Sequence, residues 1–579
     1  MEINGSEIHF EIKDKDILGR ICKLKINNKL VETPLLMPVY NPKNPVISID
    51  DLKNEFKIKA VMVNAYLLLR DNNLREEVLN KGLHKFLNFD GIIATDSGSY
   101  QLMEYGNVLV DNQGILDFEE RIGSDIASFL DIPSLPDAYK PRVKEQLLET
   151  LKRAEEARKR KIVINAGIQG STYLDLRKKA AKEIGKRFKL CAAGGIVPLM
   201  EKYEFSKLVD ILITIKKNLP ADRILHGFGL GHPMVFPLAI GLGYDIFDSA
   251  AYVLYAKEDR YMTESGTKHL DELEYIFCNC PICKRFDLEL KELPQQERIE
   301  KLAKHNLYVT LGEINRIKQA IKEGNLWELL SLRCRSHPQL LSGLERMMKY
   351  SSYISEFDRI TKKSAFFYLG NESIKRPEVV NSRKRLKRVK SKRLIKFYPF
   401  GEVPLELMDL YPFNATLLPE SKKKMVEEIY CRVNDREKIE RMLEYQFGEN
   451  ASRALPKEIR IKKSAKTGRI RWIYHKNELI ASVRASDHFI IPKPPLGKRL
   501  LEVLEYPKAR VVINKEAVPF VKEGKSVFAK FVLDLDSELR AGDEVLVVDE
   551  KDNYIRTGTL ILSPKEVRDF RRGVVVKVR

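Results

Sequence analysis

The chain has 579 residues, a formal net charge of +20 and 44% apolar residues. That length exceeds what a single core fills, near ~250–300 residues, and the apolar share is ordinary for a soluble globular protein. The cationic surplus points to a polyanionic partner, nucleic acid first and an acidic membrane second.

A solvated surface rich in Lys and Glu, common in thermophile proteins, accounts for only part of that surplus. Met1-Glu2-Ile3-Asn4-Gly5 carries no apolar signal core, so a cytoplasmic location is expected. The most membrane-like stretch, Met234–Leu254, contains Pro237, Asp245 and Asp248, which argues against a transmembrane helix. The seven cysteines are an odd count and three fall within six positions, a pattern that suits a reduced compartment with a metal site better than disulfides.

In chain order, eight apolar runs read as strands: Pro34–Val39, Ala60–Ala65, Gly91–Asp96, Ser124–Asp131, Ile162–Gln169, Leu190–Ile196, Ile224–Gly229 and Tyr244–Ser249. Amphipathic segments such as Arg142–Lys159 and Tyr203–Asn218 separate most of them. The alternation predicts an α/β fold, a (β/α)8 barrel of the TIM type. A doubly wound open sheet is the alternative, weakened because no G-x-G-x-x-G follows the first strand. Polar residues gather at the C-terminal ends of the runs: Asp96, Asp131, Gln169, Gly194-Gly195 and Asp248. In a barrel those ends form the catalytic face.

Next along the chain, Cys278-Asn279-Cys280-Pro281-Ile282-Cys283 places three thiols close enough to wrap one tetrahedral ion. His305, on a predicted helix over Gln295–Asn306, is the first histidine downstream and the expected fourth ligand, with His269 a weaker competitor. Four protein ligands leave no open position, so a structural zinc is expected.

Beyond about residue 345 the texture changes. Arg383–Lys396 holds nine Lys or Arg in fourteen residues and runs into Phe397-Tyr398-Pro399-Phe400. Such a charge run reads as a solvated linker, but adjacent rings favour an RNA contact. A second basic segment, Lys457–Lys476, carries Trp472 and Tyr474. The last seventy or so residues read as a compact β module with strands near Ala509–Ile513, Ser526–Leu533 and Glu544–Val548. The expected domains are therefore 1–345 (barrel, with the metal segment 278–305), 346–430 and 431–506 (small α+β domains), and 507–579.

The chemistry follows from the polar set. Asp96-Ser97-Gly98-Ser99 places a carboxylate and a hydroxyl on a tight turn after a strand, although on its own the segment also reads as the cap of the next helix, with Ser97 or Ser99 as the actual cap. Asp248 ends another strand. Two aspartates on one face can divide into nucleophile and general acid/base, as in retaining glycoside chemistry. A carboxylate (Asp131), an amide (Gln169) and a close-approach Gly194-Gly195 suit a guanine-like base, which offers two donors and one acceptor on one edge.

Asp96 through Gln101, Ser124-Asp125-Ile126 through Asp131, Gly167-Ile168-Gln169-Gly170, Ala193-Gly194-Gly195, Phe247-Asp248-Ser249 and the cysteine set occur in an order that resembles the tRNA-guanine transglycosylases. Phe520-Val521, Gly524-Lys525, Leu539-Arg540, Gly542-Asp543-Glu544-Val545 and the Arg572-Gly573 ending resemble a PUA RNA-binding domain. Together they look like the archaeal branch of that family, in the archaeosine pathway. The resemblance implies that guanine at position fifteen of the tRNA D-arm is exchanged for 7-cyano-7-deazaguanine. It implies Asp248 as nucleophile, Asp96 as acid/base, and Ser97, Asp131, Gln169, Gly194 and the Gly195-Ile196-Val197 backbone as base holders. It further implies Zn2+ on Cys278, Cys280, Cys283 and His305, and a homodimer. Bacterial members carry Gly-Phe where this chain has Ser99-Tyr100, and Pro-Thr-Arg where it has Ala251-Tyr252-Val253. Those departures favour the archaeal reading over a queuine-type anticodon enzyme. A non-exchanging paralogue of the archaeosine pathway, or a tRNA-binding protein, would share part of this pattern but not its paired aspartates.

Overall fold

The computed structural model describes residues 3–99, 110–423 and 433–579; Tyr100 and Gln101 of the Asp96 motif lie outside the described residues. The chain forms two compact units. The first comprises Met1–Asp14, Gly19–Lys322 and Leu329–Met347, the second Lys15–Leu18, Glu323–Glu328 and Met348–Arg579.

A three-stranded sheet that the apolar runs did not announce opens the chain: β1 (His9–Asp16, its last two residues counted in the second unit), β2 (Gly19–Ile26) and β3 (Lys29–Thr33), with β2 and β3 antiparallel. Its strands alternate apolar with Lys, Asp and Glu, the pattern of a sheet with one wet face. Eight parallel strands follow: β4 (Leu35–Pro38), β5 (Ala60–Asn64), β6 (Ile92–Asp96), β7 (Ile126–Ala127), β8 (Val163–Ile168), β9 (Leu190–Ala193), β10 (Ile224–Gly227) and β11 (Ile246–Ser249). They pair in sequence from β5 to β11, and β11 pairs β4. Val39 bridges Met62, and the Tyr40 N–H donates to the Met62 carbonyl at 2.8 Å, joining the first strand to the second. The sheet closes into the expected barrel. Nearly every strand residue is buried, as a parallel sheet packed on both sides requires.

One strand is much shorter than expected. Only Ile126-Ala127 of Ser124–Asp131 pairs as strand. The following N–H groups are taken by side chains instead: Ser128 donates to Glu119 at 3.2 Å, Leu130 to Asn112 at 3.0 Å and Ile132 to Thr150 at 3.1 Å. Those bonds peel the segment off the ladder and carry Asp131 onto a loop. The helix over Gln295–Glu323 is longer than predicted. Among the described residues, no helix is long and apolar enough to cross a membrane.

In the second unit a four-stranded antiparallel sheet (Arg460–Lys463, Ile470–His475, Glu478–Val483, Ile490–Pro492) precedes a six-stranded sheet. The latter includes Arg510–Ile513, Glu544–Val548, Tyr554–Leu560 and Val574–Val578. One core, containing Phe397, Phe400, Phe413, Tyr445 and Phe489, runs through the unit. The basic run is therefore no linker. Arg383–Leu386 ends the helix Pro377–Leu386, and Arg385 is buried on Asp543 at 2.7 Å. Lys396 and Phe397 fall on opposite faces of the strand Leu394–Phe397, so the lysine is exposed and the ring is core. The expected RNA contact at these rings is corrected for Phe397 and Phe400: both are buried among other rings.

Candidate functional site

The C-terminal ends of the barrel strands carry the site. Asp96 is the last residue of β6. Asn64, the last of β5 and its register partner, donates to Asp96 Oδ2 at 3.1 Å. The Gly98 N–H reaches Asp96 Oδ1 at 3.3 Å. Burial pushes the Asp96 carboxyl up to about 7, and the nearby Asp248 and Asp131 carboxylates push in the same direction against that backbone bond. The Ser97 hydroxyl donates to the Phe129 carbonyl at 3.1 Å and lies 3.1 Å from the Ser99 hydroxyl.

Asp131 accepts from the Gln169 carboxamide at 2.6 Å. Burial raises its carboxyl too, opposed by that bond. Glycines make the room: a Cβ on Gly167 would sit 2.1 Å from Asp131 Oδ2, and one on Gly194 would sit 2.2 Å from Gln169 Nε2. Gly195 has φ +64°, a backbone region that favours glycine. Asp96, Ser97, Asp131, Gln169, Gly194 and Gly195 line one cavity. Val197 lines it as well, whereas Ile196 is fully buried and can offer only its backbone. Among the described residues, the Gln169 Oε1 atom is buried without a partner, an acceptor left for a ligand.

Asp248, on β11, lines an adjoining groove together with Asp96, Asn64 and Gly229. Among the described residues, the donors to Asp248 fall on one oxygen: the Gly229 N–H donates to Oδ1 at 2.6 Å and His226 Nε2 lies 3.0 Å from the same atom. His226, on β10, is 1% exposed, and its Nδ1 meets the Asn165 carboxamide nitrogen at 3.0 Å. Arg177 is completely buried and donates to the carbonyls of Ser171 at 2.7 Å and Gly194 at 2.8 Å. Burial pulls its guanidinium down to about 10.

Sequence reasoning missed Asn64, Asn165, Arg177, His226 and Gly229. The one available signal was a histidine and an asparagine inside otherwise apolar parallel strands. Asp125, part of a matching motif, lies before its strand and is tied to Lys29 at 2.7 Å and to the Ile93 N–H at 2.9 Å, a scaffold role away from the cavity.

A separate cluster forms beside the barrel. The ligand atoms of Cys278, Cys280, Cys283 and His305 all lie within 4.8 Å of one another. Cys280 and Cys283 sulfurs stand 3.6 and 3.3 Å from His305 Nδ1, near the edge of about 3.4–3.8 Å expected for a tetrahedral zinc site. His305 Nε2 meets the Met262 carbonyl at 3.0 Å, which turns Nδ1 toward the thiols. The four residues could hold one metal ion. His269 lies on an exposed strand edge outside the cluster.

A family model described as queuine tRNA-ribosyltransferase matches residues 15–339, more than half of the chain. The chain belongs to the tRNA-guanine transglycosylase family. Three more models follow along the chain: the C1 domain of tRNA-guanine transglycosylase dimerisation over 359–423, the patch-forming domain C2 of tRNA-guanine transglycosylase over 437–507, and a PUA domain over 509–579. Relatives span the full length. A protein of Pyrococcus abyssi is 47% identical over 578 residues, covering 99% of this chain and 98% of its own length. One of Methanocaldococcus jannaschii is 43% identical, covering 98% and 99%. Both are named tRNA-guanine(15) transglycosylase. The barrel expected from the apolar runs and the PUA module expected from the terminal motifs coincide with the matches over 15–339 and 509–579.

Proposed function

We propose that the chain exchanges guanine at position 15 of the tRNA D-arm for 7-cyano-7-deazaguanine by double displacement, the first step of archaeosine formation. The observation that carries this is the shared placement of Asp96 and Asp248 in one groove, next to a cavity lined by Asp131, Gln169 and Gly194-Gly195. Asp131 accepts from the donors on the base's edge, and a backbone N–H of the Gly195–Val197 segment serves its carbonyl oxygen. Asp248 attacks C1′ of the ribose as the C1′–N9 bond breaks, and the Asp96 carboxyl protonates the departing guanine. Asp96 then takes the N9 proton of the incoming base. N9 attacks C1′, the ester bond to Asp248 breaks, and its electron pair returns to the carboxylate. The raised carboxyl of Asp96 suits a group that gives and takes a proton near neutrality.

The metal reading is Zn2+, held by Cys278, Cys280, Cys283 and His305. With four protein ligands it would brace the segment rather than meet substrate. A reducing, cytoplasmic setting agrees with a thiolate site, and the C1-domain match supports a homodimer. The basic sheet face of Arg460, Lys462, Trp472 and Tyr474 fits an RNA backbone with stacked bases, the ring contacts being Lys462 over Trp472 at 5.5 Å and Arg460 over Tyr474 at 4.9 Å. Retention of both aspartates favours exchange over a non-exchanging paralogue. The test is a denaturation-resistant complex between enzyme and unmodified tRNA. Wild type should form it and Asp248→Asn should not; an adduct that survives Asp248→Asn would remove Asp248 as the nucleophile.

A further inference from the structure

We infer that His226 is a positioning residue for Asp248, locked by Asn165 in the tautomer that donates to one oxygen of the nucleophile and leaves the other for the sugar. The inference rests on the reading of Asp248 as nucleophile.

The three side chains come from three strands of the barrel, β8, β10 and β11, and two of the contacts bracket one imidazole. Asn165 Nδ2 lies 3.0 Å from His226 Nδ1, and His226 Nε2 lies 3.0 Å from Asp248 Oδ1. A carboxylate can only accept, so the proton between His226 and Asp248 sits on Nε2. The Asn165 amide nitrogen facing Nδ1 makes that atom the acceptor. All three residues are buried, at 4%, 1% and 7% exposure, so bulk water does not compete for these contacts.

The second donor on the same oxygen is the Gly229 N–H at 2.6 Å. Among the described residues, two donors reach Oδ1 and none reaches Oδ2, which gives the carboxylate a front and a back. Oδ2 is the atom free to bond C1′, and Oδ1 becomes the carbonyl oxygen of the ester. Charge on Oδ1 is lost when the ester forms and regained when the aspartate departs. The two donors therefore favour the free carboxylate over the ester and speed its departure. They work against overstabilisation of the intermediate, which must be released to the incoming base in every turnover.

The prediction has a direction that a merely structural role lacks. His226→Leu removes the donor while keeping a similar volume. It should slow release of the tRNA adduct to added base by about 10–100-fold, raise the fraction of enzyme trapped as adduct at equilibrium, and leave tRNA affinity unchanged. His226→Gln, whose amide N–H can stand near Nε2, should restore most of the release rate. Asn165→Leu, which frees the tautomer, should fall between wild type and His226→Leu. The measurement is a chase of the preformed adduct with 7-cyano-7-deazaguanine, with thermal unfolding run on each variant. If His226→Leu releases the adduct as fast as wild type, the inference is overturned. It is equally overturned if adduct fraction and tRNA affinity fall together and His226→Gln fares no better. Failure of the underlying reading looks different: wild type itself would form no adduct, or Asp248→Asn would form it unimpaired.

Discussion

The Gln169 carboxamide is held 2.6 Å from the Asp131 carboxylate in space that exists because residues 167 and 194 have no side chains. Gly194 lies outside the positive-φ range, so alanine there meets no backbone strain; its Cβ would sit 2.2 Å from Gln169 Nε2 and 3.4 Å from Asp131 Oδ2. Gly194→Ala should therefore displace Gln169 and raise KM for the incoming base at least about 10-fold. Affinity for tRNA should stay unchanged. Initial-rate kinetics in varied base and a separate tRNA titration check this; an unchanged base KM would take Gln169 out of the base site.

Asp96 gives a pH signature. Its carboxyl is pushed up to about 7, chiefly by burial, with Asp248 and Asp131 adding to the effect and the Gly98 N–H opposing it. Adduct formation needs the protonated form, so its rate should fall about tenfold per pH unit above that value. Asp96→Asn should form adduct at least about 100-fold more slowly and lose this pH limb. The stability sign is the reverse of an ordinary paired carboxylate. A raised acid binds its proton more tightly in the native state, so stability is lost as pH rises from the usual carboxylate range through about 7. Asp96→Asn should therefore unfold at a higher temperature than wild type at about pH 8, with the gap closing near about pH 4.

How much of this was legible in the sequence depended on what held each segment. Seven barrel strands were readable because parallel strands buried on both faces are continuous apolar runs. The strand around Ile126 was misjudged in length because Glu119, Asn112 and Thr150 capture its N–H groups, and side-chain capture leaves no periodic trace. Asp96 and Asp248 were readable as polar ends of apolar runs. His226 and Arg177 were not, since a histidine in a strand and an arginine on a helix look like core and surface until their partners are known. Phe397 was misread because strand alternation puts it and Lys396 on opposite faces.

The cysteine cluster predicts metal dependence of stability, not of chemistry. One zinc per chain is expected by elemental analysis, lost in Cys280→Ser. That variant or a strong chelator should lower the unfolding temperature markedly, as the free energy of a structural site is largely folding free energy. A chain with no bound metal and unchanged unfolding after chelation would contradict the zinc reading.

The sheet face bearing Trp472 predicts a salt-dependent share of tRNA affinity. Lys462→Glu should weaken tRNA binding and flatten the slope of log K against log salt by about 1 or more. Trp472→Ala should cost about 1–3 kcal/mol of binding with the slope unchanged. Neither should alter KM for the free base. Binding titrations from about 50 to 300 mM salt separate the two effects.

The most direct test of the central claim is incorporation of labelled 7-cyano-7-deazaguanine into an unmodified tRNA transcript, run beside a transcript altered only at position 15. Label entering the first transcript alone, and lost with Asp248→Asn, is the expected result. Label in both transcripts would contradict the assigned position, and no label in either, with tRNA still bound, would contradict exchange chemistry altogether.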